Sequence, residues 1–197
     1  WRGDNKRPKK AFVGTANQII NNDSLQFIKN IVENNSNHVW NKVYKRSVIE
    51  KISFQQGKKF EDIYYMTDLS KVIKNFAFID YPLIDYRERQ GSIIQTMDKK
   101  YVDDYLGAFL YRVNHLKANL GEDPSFQNYL HYKTYNRYAG LVKKLKDNQQ
   151  LDMLNYLKDH FDIEFDHIHR CIGRQIGWIR YQKLGFKHRQ TEKILSQ

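Results

Sequence analysis

Length and composition already exclude several classes of protein for this chain. It has 197 residues, of which 41% are hydrophobic and three are prolines, and this favours a folded, helix-rich protein over a disordered chain. No apolar run approaches the roughly 20 residues that are needed to cross a bilayer. The single cysteine, Cys171, excludes an internal disulfide framework and favours a reducing, cytoplasmic compartment.

The chain is also strongly basic. Its formal net charge is +11, and both halves of the chain contribute to it. A charge of this size predicts an anionic partner, such as phosphate, nucleic acid or lipid headgroups.

The first elements in chain order are predicted to be short. Apolar residues recur at helical spacing over residues 25–32, and Asp23 or Ser24 stands in position to cap that helix. A short helix over 47–51 and a short strand over 52–54 are expected next.

A longer helix and two strands are predicted to follow. Gly57 provides a turn, and residues 61–74 then show the pattern of an amphipathic helix with Asp62 in its first turn. Residues 76–79 are expected to form a buried strand and residues 83–87 a second strand. The apolar side of the helix is predicted to consist of Ile63, Met66, Leu69, Val72 and Ile73.

The remainder, 96–197, is predicted to be a helical domain. Apolar periodicity indicates helices over 99–120, 125–146 and 151–161, and a fourth helix from 168 to 185 or beyond. Asp123 and Pro124 are typical of a helix start. The predicted fold class is therefore α+β and predominantly helical, with a partial α/β half over 1–95 followed by a helical bundle.

Three linked sequence pieces in the first half carry a family resemblance. Residues 39–46 read VWNKVYKR, residues 57–65 read GKKFEDIYY and residues 81–92 read YPLIDYRERQGS. In this order they resemble the second half of the nucleotide-sugar-binding domain of family 2 glycosyltransferases of the GT-A type. The resemblance covers residues 37–92 and does not reach the last hundred residues.

The resemblance implies an inverting glycosyltransferase. Such an enzyme transfers a sugar from a nucleotide-sugar donor to a glycan or lipid-linked acceptor, here expected in bacterial surface polysaccharide synthesis. It implies that Asp62 is the catalytic base and that Glu61 orients the acceptor or holds the loop. A carboxylate in the first turn of a helix is favoured in its charged form by the helix dipole.

The same resemblance assigns two further groups of residues. Arg87, Arg89 and Ser92 are implied to lie over the donor diphosphate, where a guanidinium can neutralise the leaving group. Trp40, Asn41 and Lys42 are implied to line the acceptor side of the cleft. His38 stands next to the second group and could also contact substrate, although a lone histidine is more often structural.

A divalent metal, Mn²⁺ or Mg²⁺, is expected in the complete enzyme on an Asp-x-Asp motif. This chain has no such motif, because Asp103 and Asp104 are adjacent and residues 162–164 read DIE. No metal ligand is therefore predicted within the chain. We expect the chain to be the C-terminal portion of a larger enzyme, inactive without the nucleotide-binding half.

Simpler interpretations remain for several of these residues. Glu61 and Asp62 can merely complement a helix N-terminus, Trp40 can be a core residue, and the arginines can lie at a solvated strand end. The alternating His167 and His169 would not share one side of a helix, so a metal site there is disfavoured.

Two alternative functions compete with sugar transfer. The first is a basic helical module that binds nucleic acid, but no helix-turn-helix, zinc-finger or RNP signature is present, so nucleic acid is not a predicted partner. The second is an oligomerisation domain in the C-terminal helices, which is compatible with the enzyme and makes a homo-oligomer a candidate assembly.

The basic tail over 170–193 has two interpretations as well. It contains seven Lys and Arg residues, the single acid Glu192 and interleaved apolar side chains. It therefore predicts either a helix that binds an anionic membrane surface or a bundle helix with a basic outer face. The first would place the protein at the inner face of the cell membrane.

Overall fold

The structure is a computed structural model, and it describes residues 17–79, 97–119, 123–161, 172 and 176–196. Over these residues the fold is α+β and predominantly helical, as predicted, with seven helices and one two-stranded antiparallel sheet. The chain divides into two compact units, Trp1–Ile93 and Ile94–Gln197. The predicted domain boundary, between residues 95 and 96, lies close to this division.

The sheet of the first unit joins two segments that are far apart in the sequence. Strand β1 (Ile19–Ile20) pairs with strand β2 (Phe76–Ala77), so that Ile19 lies opposite Ala77 and Ile20 opposite Phe76. The sequence predicted no strand at 19–20. The predicted buried strand over 76–79 was wrong in length and burial, because Ala77 is exposed and Ile79 is 55% exposed.

Helix α1 (Ser24–Asn34) begins where the sequence predicted it to begin. The Asp23 side chain accepts a hydrogen bond from the Gln26 backbone N–H, which satisfies one of the unpaired donors at the helix start. The helix ends at Asn35, whose backbone is left-handed, a conformation that asparagine tolerates better than most residues. Phe27, Ile28, Ile31 and Val32 are buried, in agreement with the predicted apolar spacing.

The segment after α1 is less regular than predicted. Helix α2 (Arg46–Ile49) is only four residues long, and residues 52–54 do not form the predicted strand. A run of three apolar or small residues cannot form a strand without a partner for its backbone groups. The predicted strand over 83–87 lies outside the described residues.

Helix α3 (Glu61–Val72) is the central element of the first unit. The predicted apolar side is confirmed in part, because Ile63, Met66 and Leu69 are buried and Val72 and Ile73 are only half-buried. The opposite side is not solvent-facing as predicted, since the more polar Tyr64, Tyr65, Thr67 and Ser70 are buried too. Two of the buried hydroxyls are satisfied within the helix, since Thr67 donates to the Ile63 carbonyl and Ser70 to the Thr67 carbonyl.

Three helices of the second unit match their predicted ranges. They are α4 (Lys99–Asn119), α5 (Pro124–Asp147) and α6 (Leu151–His160). The start of α5 follows the predicted chemistry, with Pro124 at the first position and the Asp123 side chain accepting from the Phe126 N–H. Their shared core contains Val102, Leu106, Leu116, Leu130, Tyr135, Val142, Leu145 and Leu157.

The last helix starts later than predicted. Helix α7 (Trp178–Leu195) begins after Gly177, whose φ of 78° and ψ of 152° are incompatible with a continuous helix. The predicted single helix from 168 through 185 is therefore wrong, because its backbone is interrupted at a position that only glycine adopts readily. Within the part of the chain that the structure describes, no helix is long and apolar enough to span a membrane.

Candidate functional site

The candidate site lies in the first unit, where the segment after α1 meets the start of α3. Asp62 is the second residue of α3, and its side chain is 28% exposed. Its carboxylate Oδ2 lies 3.9 Å from Nδ1 of His38. Two residues that are 24 positions apart thus come together at the helix start.

The backbone before α3 explains how the carboxylate is presented. Phe60 occupies the N-cap position with a left-handed backbone, φ 61°, and makes no side-chain capping hydrogen bond. The Ile63 N–H bonds instead to the Phe60 carbonyl. Asp62 and Glu61 therefore occupy the first turn, where the helix dipole favours negative charge.

Lys42 fixes the shape of the segment that faces Asp62. Its ammonium group donates to the carbonyls of Ser36, at 2.8 Å, and His38, at 2.7 Å, and to Oδ1 of Asn41, at 2.8 Å. Burial lowers the pKa of Lys42 to about 8, and the negative charge of Asp62 opposes that effect. Lys42 thus closes a loop around residues 36–42 beside the carboxylate.

An aromatic group attaches the same segment to α3. The ring of Tyr65 stacks on Phe54 at 4.4 Å and meets the ring of Tyr44 edge to face at 6.2 Å. Burial raises the pKa of the Tyr44 phenol, and the neighbouring Tyr65 adds to this effect. Both phenols stay neutral at physiological pH and act as packing groups.

Trp40 is an exposed member of the site. Its side chain lies at the surface, 46% exposed, and its ring is 5.2 Å from the His38 ring at an angle of 30°. The interpretation of Trp40 as a core residue is therefore wrong. The Trp40 ring lies against His38, which in turn lies near the Asp62 carboxylate. A flat apolar ring in such a place can hold the C–H face of a sugar while a polar group close by binds a hydroxyl.

The structure brings together four of the predicted site residues. Trp40, Asn41 and Lys42 lie in one turn, and Lys42 is near enough to Asp62 for their charges to interact. Glu61 is exposed at the start of α3. The predicted donor-side residues, Arg87, Arg89 and Ser92, lie outside the described residues.

Sequence reasoning gave too little weight to two of the residues that shape the site. A lone histidine such as His38 carries little signal in a sequence, and an aromatic residue on a helix, such as Tyr65, is by its pattern a core residue. The available signal was their position, since both lie within or next to the two motif pieces that the fold brings together.

The described residues do not supply a metal centre. Among them, no three His, Cys, Asp or Glu side chains lie close enough together to hold an ion. Asp103, in one of the sequence stretches that resemble an Asp-x-Asp motif, instead accepts a hydrogen bond from the Tyr156 hydroxyl at 2.8 Å.

Comparison of the chain with protein families, with characterised proteins and with solved structures gives no match.

Proposed function

We propose that this chain provides the acceptor side and the catalytic base of an inverting glycosyltransferase. The donor is a nucleotide sugar, and the acceptor is a glycan or a lipid-linked glycan, as in bacterial surface polysaccharide synthesis. One observation supports the proposal above all others: Asp62, His38, Lys42 and the exposed Trp40 lie together. Two of the three motif pieces that carry the resemblance thus meet in space.

In the proposed reaction, the acceptor hydroxyl attacks the anomeric carbon of the donor sugar. The bond from that carbon to the diphosphate oxygen breaks, and the hydroxyl proton passes to Asp62. A carboxylate within hydrogen-bonding distance of the hydroxyl provides general base catalysis. In this proposal Arg87, Arg89 and Ser92 stabilise the departing diphosphate.

The other residues position the acceptor in this proposal. Trp40 provides an apolar surface for one side of the sugar ring, and Asn41 and His38 provide polar groups at its edge. Lys42 acts as a positioning residue, because its ammonium group is bonded to the carbonyls of the turn that carries Trp40.

Replacing Asp62 with Asn tests the base. The change keeps the size of the side chain and removes the proton acceptor, so turnover of a nucleotide-sugar donor by the complete enzyme should fall on the order of 100-fold or more. Asp68→Asn is the matched control, because Asp68 lies on the same helix and pairs with Lys71. Steady-state kinetics of both variants should show normal turnover for Asp68→Asn. Turnover of Asp62→Asn above half that of the wild type would contradict the assignment.

Replacing Trp40 with Ala tests the acceptor surface. A glycan array and then calorimetry with the 197-residue chain should identify an oligosaccharide that binds, and Trp40→Ala should weaken that binding about tenfold or more, because the stacking surface is lost. Trp178→Ala is the control, since Trp178 is an exposed tryptophan in the second unit, at 73% exposure. Equal losses in both variants would contradict a sugar site at Trp40.

A further inference from the structure

One side of helix α7 is packed against its own unit. Leu184 and Thr191 are each only 2% exposed. The His188 ring nitrogen Nδ1 lies 2.9 Å from the Tyr135 hydroxyl of α5, and the Lys158 ammonium group of α6 donates to the Leu195 carbonyl. The orientation of α7 on α5 and α6 is therefore fixed, and so is the side that it presents to solvent.

The opposite side of α7 exposes large apolar residues. Trp178, Ile179 and Phe186 are 73%, 64% and 58% exposed. At about 100° per residue, Ile179 and Phe186 share one side of the helix, roughly opposite Leu184. Apolar side chains of this size in such proximity on a surface indicate an interaction site rather than chance exposure.

Basic residues surround these apolar side chains. Lys183, Arg189 and Lys193 are exposed on the same side of the helix, and Glu192 is its only acidic residue. We define the outer face of α7 as Trp178, Ile179, Lys183, Phe186, Arg189 and Lys193. It combines an apolar centre with a positive border.

We propose that the outer face of α7 binds the surface of an anionic lipid bilayer, with the helix lying in the plane of the interface. The apolar centre then enters the boundary between headgroups and acyl chains, and the basic border stays among the anionic headgroups. Each Lys or Arg at such a surface contributes about fivefold to the partition constant. The proposal stands on α7 alone and does not depend on sugar transfer.

The chemistry of the outer face disfavours two other occupants. A second copy of this chain would bring Lys183, Arg189 and Lys193 against the same residues, and like charges facing each other weaken association. A nucleic acid would meet an aliphatic side chain, Ile179, at the centre, where stacking on bases needs aromatic rings. An anionic bilayer would contact the whole outer face, because its acyl region accepts the apolar side chains and its headgroups pair with the basic ones.

Vesicle co-sedimentation of the 197-residue chain tests the proposal. The probes are vesicles of phosphatidylcholine with about one third phosphatidylglycerol and vesicles of phosphatidylcholine alone. The chain should bind the anionic vesicles, release as salt is raised, and bind the neutral vesicles much more weakly. Trp178 fluorescence should shift to the blue on binding, and the shift should be absent in Trp178→Phe.

Two variants and one control assign the binding to the outer face. Lys183→Gln, Arg189→Gln and Lys193→Gln combined should weaken partition on the order of a hundredfold, and Ile179→Ser with Phe186→Ser should weaken it at least tenfold. The control removes three exposed lysines from α4 and α5, by Lys117→Gln, Lys143→Gln and Lys146→Gln, and should keep most of the binding. Circular dichroism establishes that all variants keep their helices.

Several outcomes would overturn the proposal. They are equal binding to neutral vesicles, equal losses in the outer-face triple variant and its control, and absence of binding to anionic vesicles. A dimer in sedimentation velocity that dissociates in Ile179→Ser with Phe186→Ser, without vesicle binding, would identify a second copy as the occupant. Tighter binding of an oligonucleotide than of anionic vesicles, dependent on the same residues, would identify nucleic acid.

Discussion

Lys42 shows how one residue can determine the geometry of the candidate site. Its ammonium group joins the carbonyls of Ser36 and His38 to the Asn41 side chain, so the segment turns back toward α3. The contacts compensate for burial of a charged group, which is otherwise costly. His38 holds its place near Asp62, and Trp40 its place against His38, because this turn is fixed.

The free energy of unfolding should depend on pH through the protonation of Lys42. The folded chain releases the Lys42 proton near pH 8, whereas the unfolded chain keeps it up to the ordinary value of 10.5. Between these values the unfolded state binds more protons, so the free energy of unfolding should rise with pH. Relative to Lys42→Met, the wild type should gain on the order of 1 kcal/mol per pH unit in this window.

Urea unfolding of the first unit at about pH 7.5, 8.5 and 9.5, which runs from just below the folded-state pKa of Lys42 into the window below its ordinary value, measures this difference. Trp40 fluorescence follows the first unit in a background of Trp1→Phe and Trp178→Phe. Lys45→Met is the control, because Lys45 is an exposed residue of the same segment. A parallel pH dependence of the wild type and Lys42→Met would contradict the lowered pKa.

At the scale of elements, the number of neighbours decides how much of a helix is buried. Helix α3 packs against α1 on one side and against the aromatic residues Tyr44 and Phe54 on another, so its polar Thr67 and Ser70 are inside. Helix α7 packs on α5 and α6 and keeps Trp178, Ile179 and Phe186 exposed. Periodicity alone does not distinguish these two cases.

Two glycines in the second unit should respond oppositely to replacement by Ala. Gly177 has a φ of 78° at the start of α7, and Gly140 is an exposed position inside α5. A Cβ meets no atom within 4 Å at either position, so backbone conformation decides the outcome. Gly177→Ala should lower the free energy of unfolding by about 1–3 kcal/mol, and Gly140→Ala should raise it by about 0.5–1 kcal/mol.

Chemical denaturation of both variants, followed by far-ultraviolet circular dichroism, measures the two changes. Each variant is the control for the other, because the chemical change is the same. A shift of both in one direction would mean that the conformation at Gly177 does not limit the start of α7.

At the scale of the whole molecule, the chain consists of two units with separate cores. Ile28, Ile31, Met66 and Leu69 are completely buried in the first unit. The second unit has its own completely buried residues, which include Val102, Leu106, Leu116, Leu145 and Leu157. Each core is assembled from helices of its own unit, which is the usual basis for independent folding.

Residues 94–197 should therefore fold without residues 1–93. The isolated piece should unfold cooperatively in urea and give a dispersed amide spectrum, because its core is complete. Leu145→Ala should cost about 2–5 kcal/mol both in the piece and in the full chain. A piece with helical circular dichroism but no cooperative transition would show that the second unit depends on the first.

The sequence by itself determined the local features of this protein. The helix starts at Asp23 and at Asp123–Pro124 were predictable, because a capping side chain or a proline acts within one turn. Helices α4 and α5 were predictable from the helical spacing of their apolar residues, which is also a local signal. The same spacing after residue 60 placed Glu61 and Asp62 at a helix start. The α+β, mainly helical class follows from these local signals.

Only the tertiary structure decided the rest. The pairing of Ile19 with Ala77, the burial of Thr67 and Ser70, and the approach of His38 to Asp62 all join residues that are distant in the sequence or depend on such neighbours. The sequence did not decide whether Trp178, Ile179 and Phe186 are exposed. A helix with interleaved apolar and basic residues can turn its apolar residues toward a core or toward solvent. Contacts between distant residues leave little trace in local spacing, because their energy arises only when the chain has folded.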